Sequence, residues 1–184
     1  VMGHSGGGPH ALACAAMLPD RVHAVVSVAG LAPYDAAGLD WFAGMGPVGA
    51  ATLRAATEGR EVKGAFEAAA ADDAEPDFVG SDWAALAGPW GWLGSVVGPA
   101  MARGPAPLIE DDLAYVRPWG FDPASITVPV LVLQGAEDRV VPVGHGRWLA
   151  EHIPDATLVV VPDAGHIAVL ERAASALEWI RATQ

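Results

Sequence analysis

The chain has 184 residues, 52% of them hydrophobic and 17% charged, a composition that supports one packed domain, or one domain with a large insertion, and excludes a disordered chain. Twenty-two acidic residues against ten basic ones give a net charge of −12, which would repel a phosphate backbone and excludes nucleic acid as a partner. Lys63 is the only lysine and the nine arginines are scattered, leaving no polybasic patch for an anionic membrane, so the expected partner is a small molecule.

The opening, Val1-Met2-Gly3-His4-Ser5-Gly6-Gly7-Gly8, has the pattern of a strand end running into a glycine-rich turn. Pro9 to Leu18 then predicts a helix, because proline is tolerated in a first turn, the Ala-rich body favours helix and Pro19 ends it. Val22 to Val28 is apolar and β-branched, and too short for an ordinary helix, so it predicts a buried strand.

From about Pro33 to Arg117 the texture changes to alanine, tryptophan, glycine and acids. Helical stretches are expected near Ala50 to Ala56, Glu61 to Ala71 and Leu108 to Val116. The uncharged run from Trp83 to Ala102 is nominally long enough for a membrane span of roughly 20 residues. Gly88, Pro89, Gly91, Gly94, Gly98 and Pro99 interrupt it, however, so it predicts two short helices lining something apolar and no stable membrane insertion.

Alternation then resumes with a strand at Val128 to Leu133, a helix near Gly144 to His152, a strand at Thr157 to Val161 and a final helix from about Ile167 to Arg181. Nearly continuous Val/Leu strands imply an α/β fold with a mostly parallel sheet flanked by helices. The expected core is residues 1–33 and 118–184, with a helical cap insertion at 34–117. Cys14 is the only cysteine. It reads as a small buried apolar residue, forms no internal disulfide, and suits a reducing, cytoplasmic compartment.

Gly3-His4-Ser5-Gly6-Gly7 fits G-x-S-x-G. In that pentapeptide the serine occupies a strained turn between strand and helix, and side chains at the flanking glycines would collide with backbone. A serine hydroxyl is a weak nucleophile near neutral pH and needs a histidine to take its proton and a carboxylate to orient that histidine. His166 follows the strand at Thr157 to Val161, and Asp138 lies just beyond the strand at Val128 to Leu133. Glu137 and Asp163 are alternative carboxylates. All these candidates fall at carboxyl ends of predicted strands, where open α/β sheets place their ligand crevice.

At these residues the sequence resembles the α/β-hydrolase superfamily of capped esterases, lactonases, peptidases and related enzymes. The motifs that carry the resemblance are Gly-His-Ser-Gly-Gly, Leu-Gln-Gly-Ala-Glu-Asp-Arg-Val-Val-Pro around Asp138, and Pro-Asp-Ala-Gly-His ending at His166. Position by position, it implies Ser5 as nucleophile, His166 as general base and then acid, Asp138 as the orienting carboxylate, and the backbone N–H of Gly6 as one oxyanion donor. It implies no cofactor and no metal. The expected reaction is cleavage of a small, neutral, largely apolar ester or lactone through an acyl-enzyme, with peptide cleavage, carbon–carbon hydrolysis, perhydrolysis or ligand binding without turnover as the alternatives.

Members of that superfamily have several strands before the elbow, whereas only Val1 and Met2 precede Gly3 here. The chain therefore reads as the carboxyl-terminal part of the fold, without the loop that would supply a second oxyanion donor, and the expectation is that these residues expressed alone aggregate or lack esterase activity.

Several other features have plainer readings. His4, His10, His23, His145 and His152 are expected to be structural or solvated, none being spaced for metal binding. Gly6-Gly7-Gly8-Pro9-His10-Ala11 formally matches the dinucleotide fingerprint G-x-G-x-x-A, but the next strand ends at Ala29-Gly30, without the acid that would hold a ribose. Trp41, Trp83, Trp90, Trp92 and Trp119 could form the insertion's own core or line a substrate pocket. The acids Asp72, Asp73, Glu75, Asp77 and Asp82, and Glu110, Asp111 and Asp112, are expected on a solvated face that would disfavour anionic substrates if it rimmed the entrance.

Overall fold

A computed structural model describes residues 1–69, 75–102 and 104–183. Ala71, Asp72 and Asp73, which the sequence assigns to a helix end and an acidic face, lie outside the described residues. Four parallel strands in the spatial order of the chain form one sheet: β1 (Met2–His4), β2 (Val25–Val28), β3 (Val130–Gly135) and β4 (Ala156–Val161). Met2 pairs with Val26, Val26 with Leu131, and Leu131 with Thr157. Helix α1 (Gly7–Met17) joins β1 to β2, and α7 (Val143–His152) joins β3 to β4.

Both faces of the inner strands are covered, which explains why their sequences run apolar without alternation. On one face Val25, Val130 and Val132 pack with Ala11, Leu12 and Ala15 of α1 and Leu149 of α7. On the other, Val26, Val28, Leu131 and Leu133 pack with Val169, Leu170 and Ala176. That second layer belongs to α8 (Ala173–Ala182) and a preceding 3₁₀ turn, Ala168–Arg172. The single final helix expected from Ile167 is therefore broken into two pieces. Strand β2 starts three residues later than expected, at Val25, because Arg21 and Val22 donate their amides to Leu18 O and hold the preceding segment in a turn.

Among the described residues, five α-helices lie between β2 and β3: α2 (Pro47–Thr57), α3 (Arg60–Ala69), α4 (Gly80–Ala87), α5 (Gly94–Met101) and α6 (Ala106–Tyr115). No helix among the described residues is long and apolar enough to cross a membrane. Helices α2 and α6 share a small core with the loop after β2, in which Leu53, Ala56, Leu113 and Tyr115 meet Leu31 and Trp41. Helix α3 packs against both helices and carries the chain's one lysine. Lys63 is fully buried, with Asp112 at 2.6 Å and contacts to Glu67 and Thr52 Oγ1.

This arrangement corrects the reading of the acids as one solvated face. Asp112 is buried in that ion-pair cluster, and its carboxyl is pushed above the usual range by burial, partly opposed by hydrogen bonding to Lys63. Asp82 is fully buried beside the sheet. Glu75, Glu110 and Asp111 are exposed as expected.

Candidate active site

The elbow is built as its sequence suggests. Ser5 follows β1 with φ of +56°, a left-handed conformation that a non-glycine residue adopts only under constraint. Its own N–H is tied to Val28 O at 2.9 Å, and its carbonyl accepts from Gly8 N at 2.9 Å, so strand and helix hold it from both sides.

The glycines around it are required for different reasons. A Cβ on Gly3 would sit 2.0 Å from Gly7 O, and one on Gly6 would sit 2.0 Å from the Tyr115 hydroxyl. A Cβ on Gly7 meets nothing within 4 Å, so the last glycine of the pentapeptide is not required for space here. The Gly6 N–H stands at the start of α1 and makes no hydrogen bond among the described residues. It is free for an anion at the positive end of the helix.

His166 lies beyond β4, buried, with Nδ1 2.8 Å from Asp138 Oδ2. The carboxylate accepts, so Nδ1 carries the proton and Nε2 of the neutral ring has its lone pair available. Asp138 is itself fixed. Its Oδ1 accepts from the N–H groups of Val140 and Val141, both at 2.8 Å, and its Oδ2 also accepts from Gln134 Nε2 at 3.2 Å. Gln134 is the penultimate residue of β3 and is anchored in turn on Val141 O at 2.6 Å. Glu137 and Asp163, the alternative carboxylates, are exposed.

Ser5 and His166 line one cavity of about 620 Å³ together with His4, and no hydrogen bond joins their side chains among the described residues. Apolar groups form most of the remaining wall: Val48, Phe78, Leu86, Leu93, Val97 and Ile167. Leu86, Leu93 and Val97 come from the uncharged Trp83 to Ala102 stretch. None of Trp41, Trp83, Trp90, Trp92 and Trp119 lines this cavity. Trp41 is buried in the insertion's core, Trp83 and Trp92 are exposed, and the aromatic wall is Phe78, whose ring stacks toward His166 at a centroid distance of 6.5 Å. Asp77 also lines the cavity, with Oδ2 accepting from Gly49 N at 2.7 Å.

Two of the histidines expected to be structural or solvated prove structural. His4 donates Nε2–H to His166 O at 2.9 Å. His145 is almost fully buried, accepts the Ala32 N–H at Nδ1 (3.1 Å) and donates to Trp41 O (2.9 Å). Both rings have pKa values lowered to about 4, chiefly by burial and, for His4, secondly by repulsion from His166. Nothing in their sequence neighbourhood signals these roles, because each contact is made by backbone groups distant along the chain. No group of three or more His, Cys, Asp or Glu among the described residues could hold a metal ion.

The sheet, the elbow and the residues after β3 and β4 define a class that the comparisons with known proteins name. Residues 1–173 match the family of the alpha/beta hydrolase fold, and the chain belongs to that family. It is 34% identical over 86 residues to the pimeloyl-[acyl-carrier protein] methyl ester esterase of Chromobacterium violaceum, a match covering 39% of this chain and 34% of that protein. It is 47% identical over 47 residues to 3-oxoadipate enol-lactonase 2 of Acinetobacter baylyi, covering 26% of this chain and 17% of the other. Among solved structures, an alpha/beta hydrolase enzyme from a Medee basin deep-sea metagenome library superposes with a TM-score of 0.59 at 18% identity, covering 99% of this chain and 63% of that one.

Proposed function

We propose that the chain carries the active site of a serine hydrolase that cleaves a small, largely apolar carboxylic ester or lactone through an acyl-enzyme. Ser5 Oγ attacks the carbonyl carbon while His166 Nε2 takes its proton. The Gly6 N–H stabilises the resulting oxyanion, and His166 returns the proton to the leaving alkoxide oxygen as the ester C–O bond breaks. Water then attacks the acyl-Ser5 ester with His166 again as base, releasing the acid and restoring the hydroxyl. Asp138 keeps the ring in the tautomer this cycle needs. Residues 34–117 act as the cap that forms the acyl or alcohol pocket, and the lone thiol of Cys14 suits a cytoplasmic setting.

The observation that carries this reading is that one mostly apolar cavity is lined by both Ser5 and an imidazole whose Nδ1 is taken by a buried carboxylate. The two curated relatives described above are named as an esterase and a lactonase, which act on the two substrate types proposed here. Asp77 in the wall favours a neutral substrate over an anionic one.

A fluorophosphonate tests the mechanism in the full-length protein. Labelling should occur at Ser5, disappear in S5A, and slow on the order of 10⁴-fold in D138N, where the amide would favour the wrong tautomer. Binding of ester substrate without labelling or turnover would replace the enzyme with a receptor that keeps the pocket.

A further inference from the structure

Helix α4 reaches the histidine loop through a buried carboxylate and the hydroxyl beside it. Asp82, in the first turn of α4, is fully inaccessible to solvent. Its Oδ1 accepts the backbone N–H groups of Ile167 at 2.7 Å and Ala168 at 2.9 Å, and its Oδ2 accepts the N–H of Val79 at 3.1 Å. The preceding residue extends the grip, since Ser81 Oγ accepts the N–H of Gly165 at 3.1 Å. Gly165 is glycine because a Cβ there would lie 2.2 Å from Asp82 Oδ2 and 2.5 Å from Val79 Cγ2.

Among the described residues no cation pairs with Asp82. A carboxylate is expensive to bury, and here its compensation comes from backbone N–H groups, two of them in the segment that carries His166. Hydrogen bonds to an ionised acceptor are roughly twice as strong as neutral ones.

We infer that Asp82, assisted by Ser81, is a positioning residue for His166, locking the backbone on both sides of the imidazole from the insertion while Asp138 and His4 hold the ring and carbonyl from the core. The inference rests on the proposed role of His166 as base. Three amides flanking the histidine, those of residues 165, 167 and 168, end on two adjacent side chains of α4. Leu86, one turn further along the same helix, lines the substrate cavity. A helix that walls the pocket at one end thus sets the register of the base at the other. Asp82 does not line the cavity, so its effect falls on turnover rather than on binding.

The test is steady-state hydrolysis of a p-nitrophenyl ester by the full-length protein, normalised to the sites that a fluorophosphonate titrates, in D82A, D82N and S81A, with thermal unfolding measured in parallel. A misplacement of about 1 Å costs on the order of 10²-fold. The expected result for D82A is therefore a per-site kcat lowered roughly a hundredfold with KM within about twofold. D82N should recover most of this, because its amide oxygen can still accept from Ile167 and Ala168, and S81A should lose several-fold. If D82A yields no folded protein, the graded losses expected of D82N and S81A decide the matter. Variants whose titratable sites become fewer or less heat-stable while per-site kcat stays at the unsubstituted level would reduce Asp82 to a structural anchor and overturn the inference. S5A is the control for the parent reading: turnover surviving in S5A removes that reading and this one together, whereas an inactive S5A beside fully active Asp82 variants removes this one alone.

Discussion

His4 donates its Nε2–H to the carbonyl of His166 at 2.9 Å, with the two ring centroids 4.8 Å apart. The ring that precedes Ser5 in sequence therefore supports the backbone of the candidate base, and burial keeps it neutral, as it does His145.

The first prediction concerns acid stability. In the unfolded chain these imidazoles titrate near 6.5, whereas in the fold they resist protonation until about pH 4. Below pH 6.5 the unfolded state therefore binds protons that the native state refuses, so stability is fully present above that pH and falls as pH drops toward 4. For His145 alone, the lowering from 6.5 to about 4 corresponds to roughly 3 kcal/mol. Urea unfolding at pH 7.5 and pH 5 should show the loss, and H145Q should shrink the difference between the two pH values while lowering stability at both.

The buried cluster around Lys63 predicts a second outcome. Removing the ammonium in K63M leaves buried Asp112 and partly buried Glu67 without their cation, at a cost of about 3–5 kcal/mol. Replacing all three, as in K63M/E67L/D112L, removes the charges together and should restore most of the lost stability, since apolar groups of similar volume substitute well for buried ion pairs. Chemical denaturation of the single and triple variants gives the comparison.

A third prediction separates the glycines of the elbow. G6A forces a methyl group into the Tyr115 hydroxyl and should destabilise by about 1–3 kcal/mol, as overpacking does. Combining it with Y115A should cost less than the sum of the two single changes, because the second removes the atom the first collides with. G7A has open space at the start of α1 and should be neutral or stabilising by up to about 1 kcal/mol, as replacing a helical glycine usually is. Thermal unfolding of the four variants closes the cycle.

Much of the fold was legible because each signal was local. The strand-turn-helix at Ser5 followed from glycine spacing, and the parallel sheet followed from short runs of buried Val and Leu. The helical segments between β2 and β3 were also located well, with α6 at Ala106–Tyr115 against an expected Leu108 to Val116. The two short helices expected around Trp83 to Ala102 form as α4 and α5, the first starting at Gly80. The acids misled, because Asp82, Asp112 and exposed Glu110 share a composition but not an environment. The tryptophans gave no guide to the cavity wall, since bulk alone does not say which of two neighbouring layers a ring enters.

The primary structure determined the order of elements, the strained position of Ser5 and which residue types stand ready after each strand, because propensity, periodicity and turn chemistry act over a few neighbours. Tertiary folding set Asp138, which the resemblance had already singled out over Glu137 and Asp163, against His166, and it alone decided that His4 and Asp82 support the segment carrying that imidazole and that Lys63 vanishes among the helices between β2 and β3. Those outcomes depend on contacts between groups tens of residues apart, where the cost of burying a charge is settled by backbone amides and counter-ions that no local pattern records.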